Sequence, residues 1–254
     1  MLRTIRFALL ASLTVVAPMF AAGSAAGVEL KGKFVYDGAA PEKTPVLDPK
    51  VEGDFPGQKL FYENLVVDPT TKGIANIAIW VKTPDVAITP EAEKALEGND
   101  KIVVDNKSGQ FQPHLTTLWS GKQKLIFKNS DPVGHNSNFP FANANPLLPP
   151  NSEQEIAVAG GKNLPQELSC NIHPWMKAYI VAHENPYVAI TGADGSFSLK
   201  NLPAGTELEF QVWHEKAGYL PAVADWGKQA KFTLTLTEDK DLGEIKVSPE
   251  LFNK

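Results

Sequence analysis

Short apolar runs separated by turn residues recur along most of the chain. Such runs are typical of strands, and pairs such as Asp-Gly and Ser-Gly are typical of the turns between them. Their spacing predicts an all-β protein built from β-sandwiches. One stretch predicts a helix, residues 89–96, which offers a threonine N-cap and proline at the first position. The predicted strands are residues 28–36, 74–81, 125–127, 178–182, 197–199, 208–213, 232–236 and 242–247.

Two segments do not follow this pattern. Residues 1–26 combine basic Arg3 and Arg6, an apolar run from 7 to 20 and small residues at the end. That layout predicts a secretory signal peptide, and its apolar run is shorter than the roughly 20 residues of a membrane span. The mature protein is therefore expected to be exported, in the periplasm or an equivalent compartment, with no later membrane span. Residues 139–151, rich in proline and asparagine, predict a surface loop.

Charge excludes one class of partner. The chain has 24 basic and 29 acidic residues, and loss of Arg3 and Arg6 leaves 22 basic residues and a formal charge of -7. An acidic protein without a basic cluster is a poor candidate for binding nucleic acid.

The single cysteine lies in a dense group of potential metal ligands. Exported proteins usually carry paired cysteines, and a lone one is a buried spare residue, an intermolecular link or a reactive or ligating thiolate. Here Cys170, His173 and Met176 fall within seven residues. Thiolate, imidazole and thioether together select copper, and a blue-copper site adds a second imidazole. His135, just after a predicted strand, is the candidate for that imidazole, so the predicted metal ligands are His135, Cys170, His173 and Met176.

This arrangement resembles the cupredoxin family, particularly its amicyanin-type members. The resemblance rests on Cys-x-x-His-x-x-Met before a last strand, on the upstream His135-Asn136 pair, and on the preceding Ser-Gly turn and strand. It implies a Greek-key cupredoxin domain at residues 101–185 that holds type 1 copper. It also implies that Asn136 steadies the ligand loop and that His173 reaches the surface as the port for electrons. The sequence departs from the family in having Ser137 after Asn136.

The remaining histidines carry weaker signals. His114 precedes the strand that leads to His135 and is either a structural imidazole or a further group near the metal. His183 and His214 are each followed by glutamate, and neighbouring residues point to opposite faces of a strand. Neither pair therefore makes a metal site alone, and both histidines are interpreted as structural.

The last part of the chain resembles a second family. Residues 192–205 give a turn, a strand and another turn, in a pattern similar to the carboxypeptidase regulatory-like or transthyretin-like β-sandwich. The strands predicted at 28–36 and 74–81 fit the opening of that sandwich. The resemblance suggests a discontinuous second sandwich, residues 28–95 and 186–250, with the cupredoxin inserted. The alternative is an elaborated cupredoxin from Val28 onward followed by a small sandwich.

Three functions fit these residues. Two imidazoles, a thiolate and a thioether suit both oxidation states of copper, which favours electron transfer between redox partner proteins. A copper carrier is the second possibility, and its usual feature is an exposed methionine or histidine cluster, whereas the chain has only three methionines. A copper enzyme is the third, and it needs an open coordination position. The sequence therefore predicts a non-enzymatic electron-transport protein.

Overall fold

The computed structural model describes residues 27–162 and 164–253, and the predicted signal peptide lies outside them. The described chain is dominated by strands, so the all-β prediction is confirmed. The strands, in chain order, are β1 Val28–Tyr36, β2 Ile77–Val81, β3 Lys101–Lys107, β4 Gln110–Gln112, β5 Leu115–Trp119, β6 Lys124–Asn129, β7 His135–Asn136, β8 Leu147–Leu148, β9 Ser152–Ile156, β10 Gln166–Ser169, β11 Lys177–His183, β12 Val188–Ile190, β13 Ser196–Leu202, β14 Glu207–His214, β15 Gly218–Tyr219, β16 Lys231–Thr235 and β17 Lys240–Val247.

Helices are few and short. The predicted helix is present as α2, Pro90–Lys94, where the Thr89 side chain accepts a hydrogen bond from the backbone of Ala92. The other, α1, Pro49–Asp54, was not predicted, although it also has an N-cap, Asp48, and proline at its start. Three 3₁₀ turns occupy Pro140–Ala142, Ala224–Trp226 and Pro249–Phe252. Within the described ranges no helix is long and apolar enough to cross a membrane.

Strands from both ends of the chain form one unit, called here the split sandwich. Its first sheet has the order β13-β1-β17, and its second has the order β12-β2-β14-β15, with β16 also paired to β14. The early strands β1 and β2 therefore each lie between strands that come more than a hundred residues later. Residues from both sheets, such as Phe34 and Phe210, share one apolar core.

The intervening residues form the central sandwich. One sheet has the order β10-β11-β5, the other has the order β4-β3-β6-β9, and β7 pairs with β8 beside them. Their shared core includes Phe127, Leu168 and Ile180. Residues 45–61, called here the capping segment, also contribute to this core through Val46, Val51, Phe55 and Leu60. The assignment of domain limits stays a prediction.

The two sandwiches meet face to face. Ala78, Trp80 and Trp213 of the split sandwich pack against Leu115 and Val181 of the central sandwich. Every residue of β2 is buried as a result. This explains why the sequence of β2 is continuously apolar, since a strand covered on both faces has no position for a solvent-facing polar residue.

The prediction of a surface loop at residues 139–151 is wrong in part. Phe139 is fully buried and Leu148 nearly so, and both belong to the central core. Leu148 is held there because β8 pairs with β7 at His135. A segment whose composition is typical of a loop is therefore held in place by the burial of Phe139 and Leu148 and by the pairing of β8 with β7.

Candidate metal centre

Three of the four predicted ligands converge at one end of the central sandwich. Cys170 Sγ lies 3.8 Å from Nδ1 of His135 and 3.8 Å from Nδ1 of His173, and the two Nδ1 atoms are 3.0 Å apart. All three residues are buried. Donor atoms that share one first-row ion through bonds of about 2.0–2.3 Å are separated by such distances.

The tight turn between β10 and β11 brings Cys170 and His173 together. The backbone N–H of His173 donates to Cys170 Sγ at 3.4 Å, and the N–H of Met176 donates to the carbonyl of His173 at 2.9 Å. The N–H of Cys170 donates in turn to the carbonyl of Met176 at 3.2 Å. Met176 itself is buried in the same apolar cluster as Cys170. Its role as a ligand stays a prediction.

Asn136 links β7 to the turn that carries Cys170 and His173. Its Oδ1 accepts hydrogen bonds from the backbone of Asn171 at 2.8 Å and of Ile172 at 3.3 Å, and it lies 3.5 Å from Cys170 Sγ. Because Asn136 follows His135 directly in β7, these bonds fix the ligand turn relative to the upstream histidine. The family resemblance implied this role for Asn136, that of steadying the ligand loop.

A carboxylate orients His135 from behind. Its Nε2 lies 3.0 Å from Asp131 Oδ2, while Nδ1 faces Cys170. The Asp131 carboxylate also accepts from the backbone N–H groups of Ser108 and Gly109, the turn between β3 and β4. Burial opposes ionisation of Asp131, but the bonds from His135 and these two amides lower its pKa below the usual value. The same Asp131, together with the Cys170 thiolate, raises the pKa of His135 despite its burial.

The capping segment supplies the matching contact for His173. The Nε2 of His173 lies 3.0 Å from Asp54 Oδ2, at the end of α1. Phe55 packs against both imidazoles, with ring centroids 6.1 Å from His135 and 5.5 Å from His173, and against Trp175 at 6.3 Å. One segment, distant in sequence, therefore covers the ligand pair.

Gly109 makes this covering possible. Its φ of +68° favours glycine, and a Cβ there would approach Leu60 to 2.8 Å and Phe55 to 3.2 Å. Its carbonyl also accepts from Nε1 of Trp175 at 2.9 Å. The turn between β3 and β4 thus supports Asp131, Trp175 and the capping segment at once.

The expectation that His173 reaches the surface is wrong. Its exposed fraction is 1 %. The reason is the capping segment: Asp54 occupies the outer nitrogen, and Phe55 covers the ring. Sequence comparison along the ligand turn alone gives no sign of this, because the covering residues lie 119 positions upstream.

The thiol is strongly activated by its neighbours. Burial raises the pKa of Cys170, but hydrogen bonds with His135 and His173, and backbone contacts from Asn136 and His173, lower it from 9.0 to about 6. Thiolate is the form that binds metal. A buried thiolate between two imidazoles, each with its outer nitrogen on a carboxylate, matches the donor set and the outer contacts that a metal site uses. The residues present fit a copper ion, with His135, Cys170 and His173 as donors.

The other three histidines lie away from this cluster. His183 ends β11, where burial lowers its pKa. His214 ends β14 and is buried beside the ring of Phe252, and burial lowers its pKa to about 3. These placements agree with a structural interpretation. His114 lies between the carboxylates of Glu63 and Glu215.

Sequence reasoning missed Asp54, Phe55 and Asp131 as parts of the site. Asp131 is four residues before His135, but Asp131 lies in the loop that leads to β7, so no strand or helix periodicity relates the two residues. The Asp48-Pro49 pair, an N-cap followed by proline, is a local signal that could have located α1. No local signal could bring Asp54 to His173, since that contact depends on how the capping segment packs.

Comparison with known proteins gives partial structural overlaps. No family model and no curated protein matches the chain. A copper-containing nitrite reductase from Thermus scotoductus SA-01 overlaps 33 % of this chain at 19 % identity and a TM-score of 0.30, and the overlap spans only 22 % of the reductase. A reduced variant of amicyanin overlaps 41 % of this chain and 98 % of its own at 15 % identity, and a Cu(I) variant does so at 14 %, both with a TM-score of 0.30. With such low TM-scores, the function proposed below rests on the geometry of the cluster alone.

Proposed function

We propose that the protein is an exported type 1 copper protein that transfers electrons between partner proteins. The observation that carries this proposal is the convergence of Cys170 Sγ with the Nδ1 atoms of His135 and His173 in a buried site. When bound, copper would supply one-electron chemistry between its two oxidation states. Met176 is proposed as the weak fourth ligand because of its place in the ligand turn.

The surrounding residues support this role by holding the donors still. Asp131 and Asp54 fix the outer nitrogens of the two imidazoles, and Asn136 fixes the turn that carries Cys170. A donor set that does not rearrange lowers the cost of changing oxidation state. Preorganised outer contacts are the means by which proteins achieve this.

Burial favours electron transfer over the alternatives. His135, Cys170 and His173 are at most 2 % exposed. A carrier that hands its metal to another protein needs ligands that the acceptor can reach. An enzyme needs an open position for substrate. Electron transfer, in contrast, can take place through the residues that cover a buried site.

The route for electrons is proposed to pass through the capping segment. Asp54 contacts His173 directly, and its side chain is 39 % exposed, whereas the imidazole is covered. Leu47, two residues before α1, is 87 % exposed and gives the same segment an apolar side chain at the surface. A redox partner would therefore dock on the capping segment instead of on the imidazole edge.

The optical spectrum of the copper-loaded protein tests the proposal. An intense blue thiolate-to-copper band is expected in the unaltered protein and in His183→Asn, a control histidine outside the cluster. Cys170→Ser should lose the band and bind copper weakly while keeping the far-ultraviolet dichroism of folded sheets, because a hydroxyl cannot replace the thiolate. An intense blue band in Cys170→Ser would show that the ligand assignment is wrong.

A further inference from the structure

A second group of titratable side chains lies where the two sandwiches and the capping segment meet. His114 precedes β5, Glu63 follows the capping segment, and Glu215 follows β14. His114 Nε2 lies 2.6 Å from Glu215 Oε2, and His114 Nδ1 lies 3.6 Å from Glu63 Oε2. The imidazole side chain is 7 % exposed. None of these three residues is among the donors His135, Cys170 and His173, although Met176, the proposed fourth ligand, lines the cavity beside them.

The contact with Glu215 determines which nitrogen of His114 is free. An ionised carboxylate only accepts hydrogen bonds, so a 2.6 Å contact places the ring proton on Nε2. In the neutral ring Nδ1 is then an acceptor. Among the residues that the structure describes, this buried Nδ1 has no hydrogen-bond partner. Its neighbour is a second acceptor, the carboxylate of Glu63.

Two facing acceptors are stabilised by a positive group between them, either a proton or a metal ion. A buried acceptor without a partner costs about 1–3 kcal/mol, and a carboxylate beside it adds repulsion. Burial raises the pKa of Glu63, His114 lowers it, Glu215 raises it and Lys43 lowers it, with a net rise. The Glu63 anion is therefore less favourable here than in water, and a cation beside the carboxylate would stabilise it.

The adjoining cavity has room to complete a coordination shell. It measures about 220 Å³, and Glu63, His114 and Glu215 line it together with Tyr62, Gln110 and Trp175. A space of this size holds several water molecules, each of which needs roughly 30 Å³. Water could therefore fill the positions that protein groups leave open.

We propose that His114 Nδ1 and the Glu63 carboxylate bind a divalent transition-metal ion of the zinc type, with water as the remaining ligands. Imidazole, carboxylate and water are ligands that Zn²⁺ accepts. Two ligands about 2.1 Å from one tetrahedral ion lie roughly 3.4 Å apart, close to the 3.6 Å between Nδ1 and Oε2. Glu215 orients the imidazole from the other side, as carboxylates do for metal-bound histidines.

The ion would join separate parts of the molecule. Glu63 lies two residues after the capping segment, which covers His173, and Glu215 directly follows β14 of the split sandwich. Trp175, from the copper ligand turn, lines the same cavity. Binding at His114 would therefore tie the capping segment and the junction of the sandwiches to one point beside the ligand turn.

Calorimetric titration with Zn²⁺ tests the proposal on the copper-loaded, full-length mature protein. One equivalent of Zn²⁺ is expected to bind. Glu63→Gln should weaken this binding at least tenfold, because an amide is a poor metal ligand. Glu215→Gln should weaken it less, since the amide oxygen can still accept from Nε2. The control is Glu167→Gln, which removes a nearby surface carboxylate that contacts Tyr179 and should leave Zn²⁺ binding unchanged.

Two results would overturn the proposal. One is no uptake of Zn²⁺ by the copper-loaded protein, which would mean that a proton shared between His114 and the glutamates balances the charge. The other is equal Zn²⁺ affinity in Glu63→Gln and Glu167→Gln. If the protein took up no copper, the proposed function would fail, but the difference between these two variants would still report on the His114 site. Near-ultraviolet dichroism checks that both variants are folded.

Discussion

The contact between Asp54 and His173 makes a quantitative prediction about copper affinity. Carboxylates on the outer nitrogen of a ligating histidine typically contribute 10- to 100-fold to metal affinity. The Asp54 side chain is 39 % exposed, so solvent screens its charge, whereas Asp131 is 5 % exposed and accepts two backbone amides as well. We therefore expect Asp54→Asn to weaken copper binding about tenfold, or ~1.4 kcal/mol, and Asp131→Asn to weaken it about 100-fold.

The measurement is competition for copper against a chelator of known affinity, with each variant compared with the unaltered protein. Glu52→Gln is the matched control, because Glu52 is an acidic residue of the same helix, α1, and among the described residues no hydrogen bond or ion pair joins it to the cluster. An Asp54→Asn affinity equal to that of Glu52→Gln would refute the idea that Asp54 orients His173. A larger loss from Asp54 than from Asp131 would refute the reasoning from burial.

Three further predictions follow from the site and the fold. Phe55→Ala should lower the free energy of unfolding by about 3–5 kcal/mol, which denaturant titration measures. It should also expose His173, so that electron exchange with small soluble oxidants, measured by stopped-flow mixing, becomes faster. Phe55→Leu keeps most of the packing, and both effects should be smaller in it. In the copper-free protein the ultraviolet absorbance of the Cys170 thiolate should rise as the pH is raised, with a midpoint near pH 6, because the pKa of Cys170 is lowered to about 6. A midpoint above pH 8 would contradict the hydrogen bonds from the imidazoles. A fragment of residues 186–254 should not fold, because β1 lies between β13 and β17 and β2 lies between β12 and β14; a cooperative unfolding transition of that fragment would contradict this pairing.

The chemistry of the cluster could be predicted from the sequence because its signal is local. Cys170, His173 and Met176 lie in one short turn, and the chemical preference of sulfur and imidazole for copper does not depend on the rest of the fold. The alternation of apolar residues likewise predicted β1, and the Thr89-Pro90 pair predicted α2, because strand faces and helix starts depend on near neighbours. His135 was found in the same way, as an imidazole just after a strand.

Apart from the joining of residues 28–95 with 186–250 that the family resemblance implied, contacts between distant segments could not be predicted. Strand β5 carries two threonines on a half-buried surface, and β10 and β9 are largely polar, so their sequences resemble loops until the sheet pairs them. Phe139 and Leu148 read as loop residues because their burial comes from packing against the central core.

The candidate metal centre shows most clearly the difference between features that depend on near neighbours in sequence and features that depend on distant segments. Donor chemistry and spacing are properties of the chain, so a copper site around Cys170 could be predicted without the fold. The burial of His173 could not, because Asp54 and Phe55 reach it from 119 and 118 residues away in the chain. Nor could the position of His114, which faces two glutamates from two different segments. Burial and charge depend on which surfaces pack together, and a local pattern of residues contains no information about partners so far along the chain.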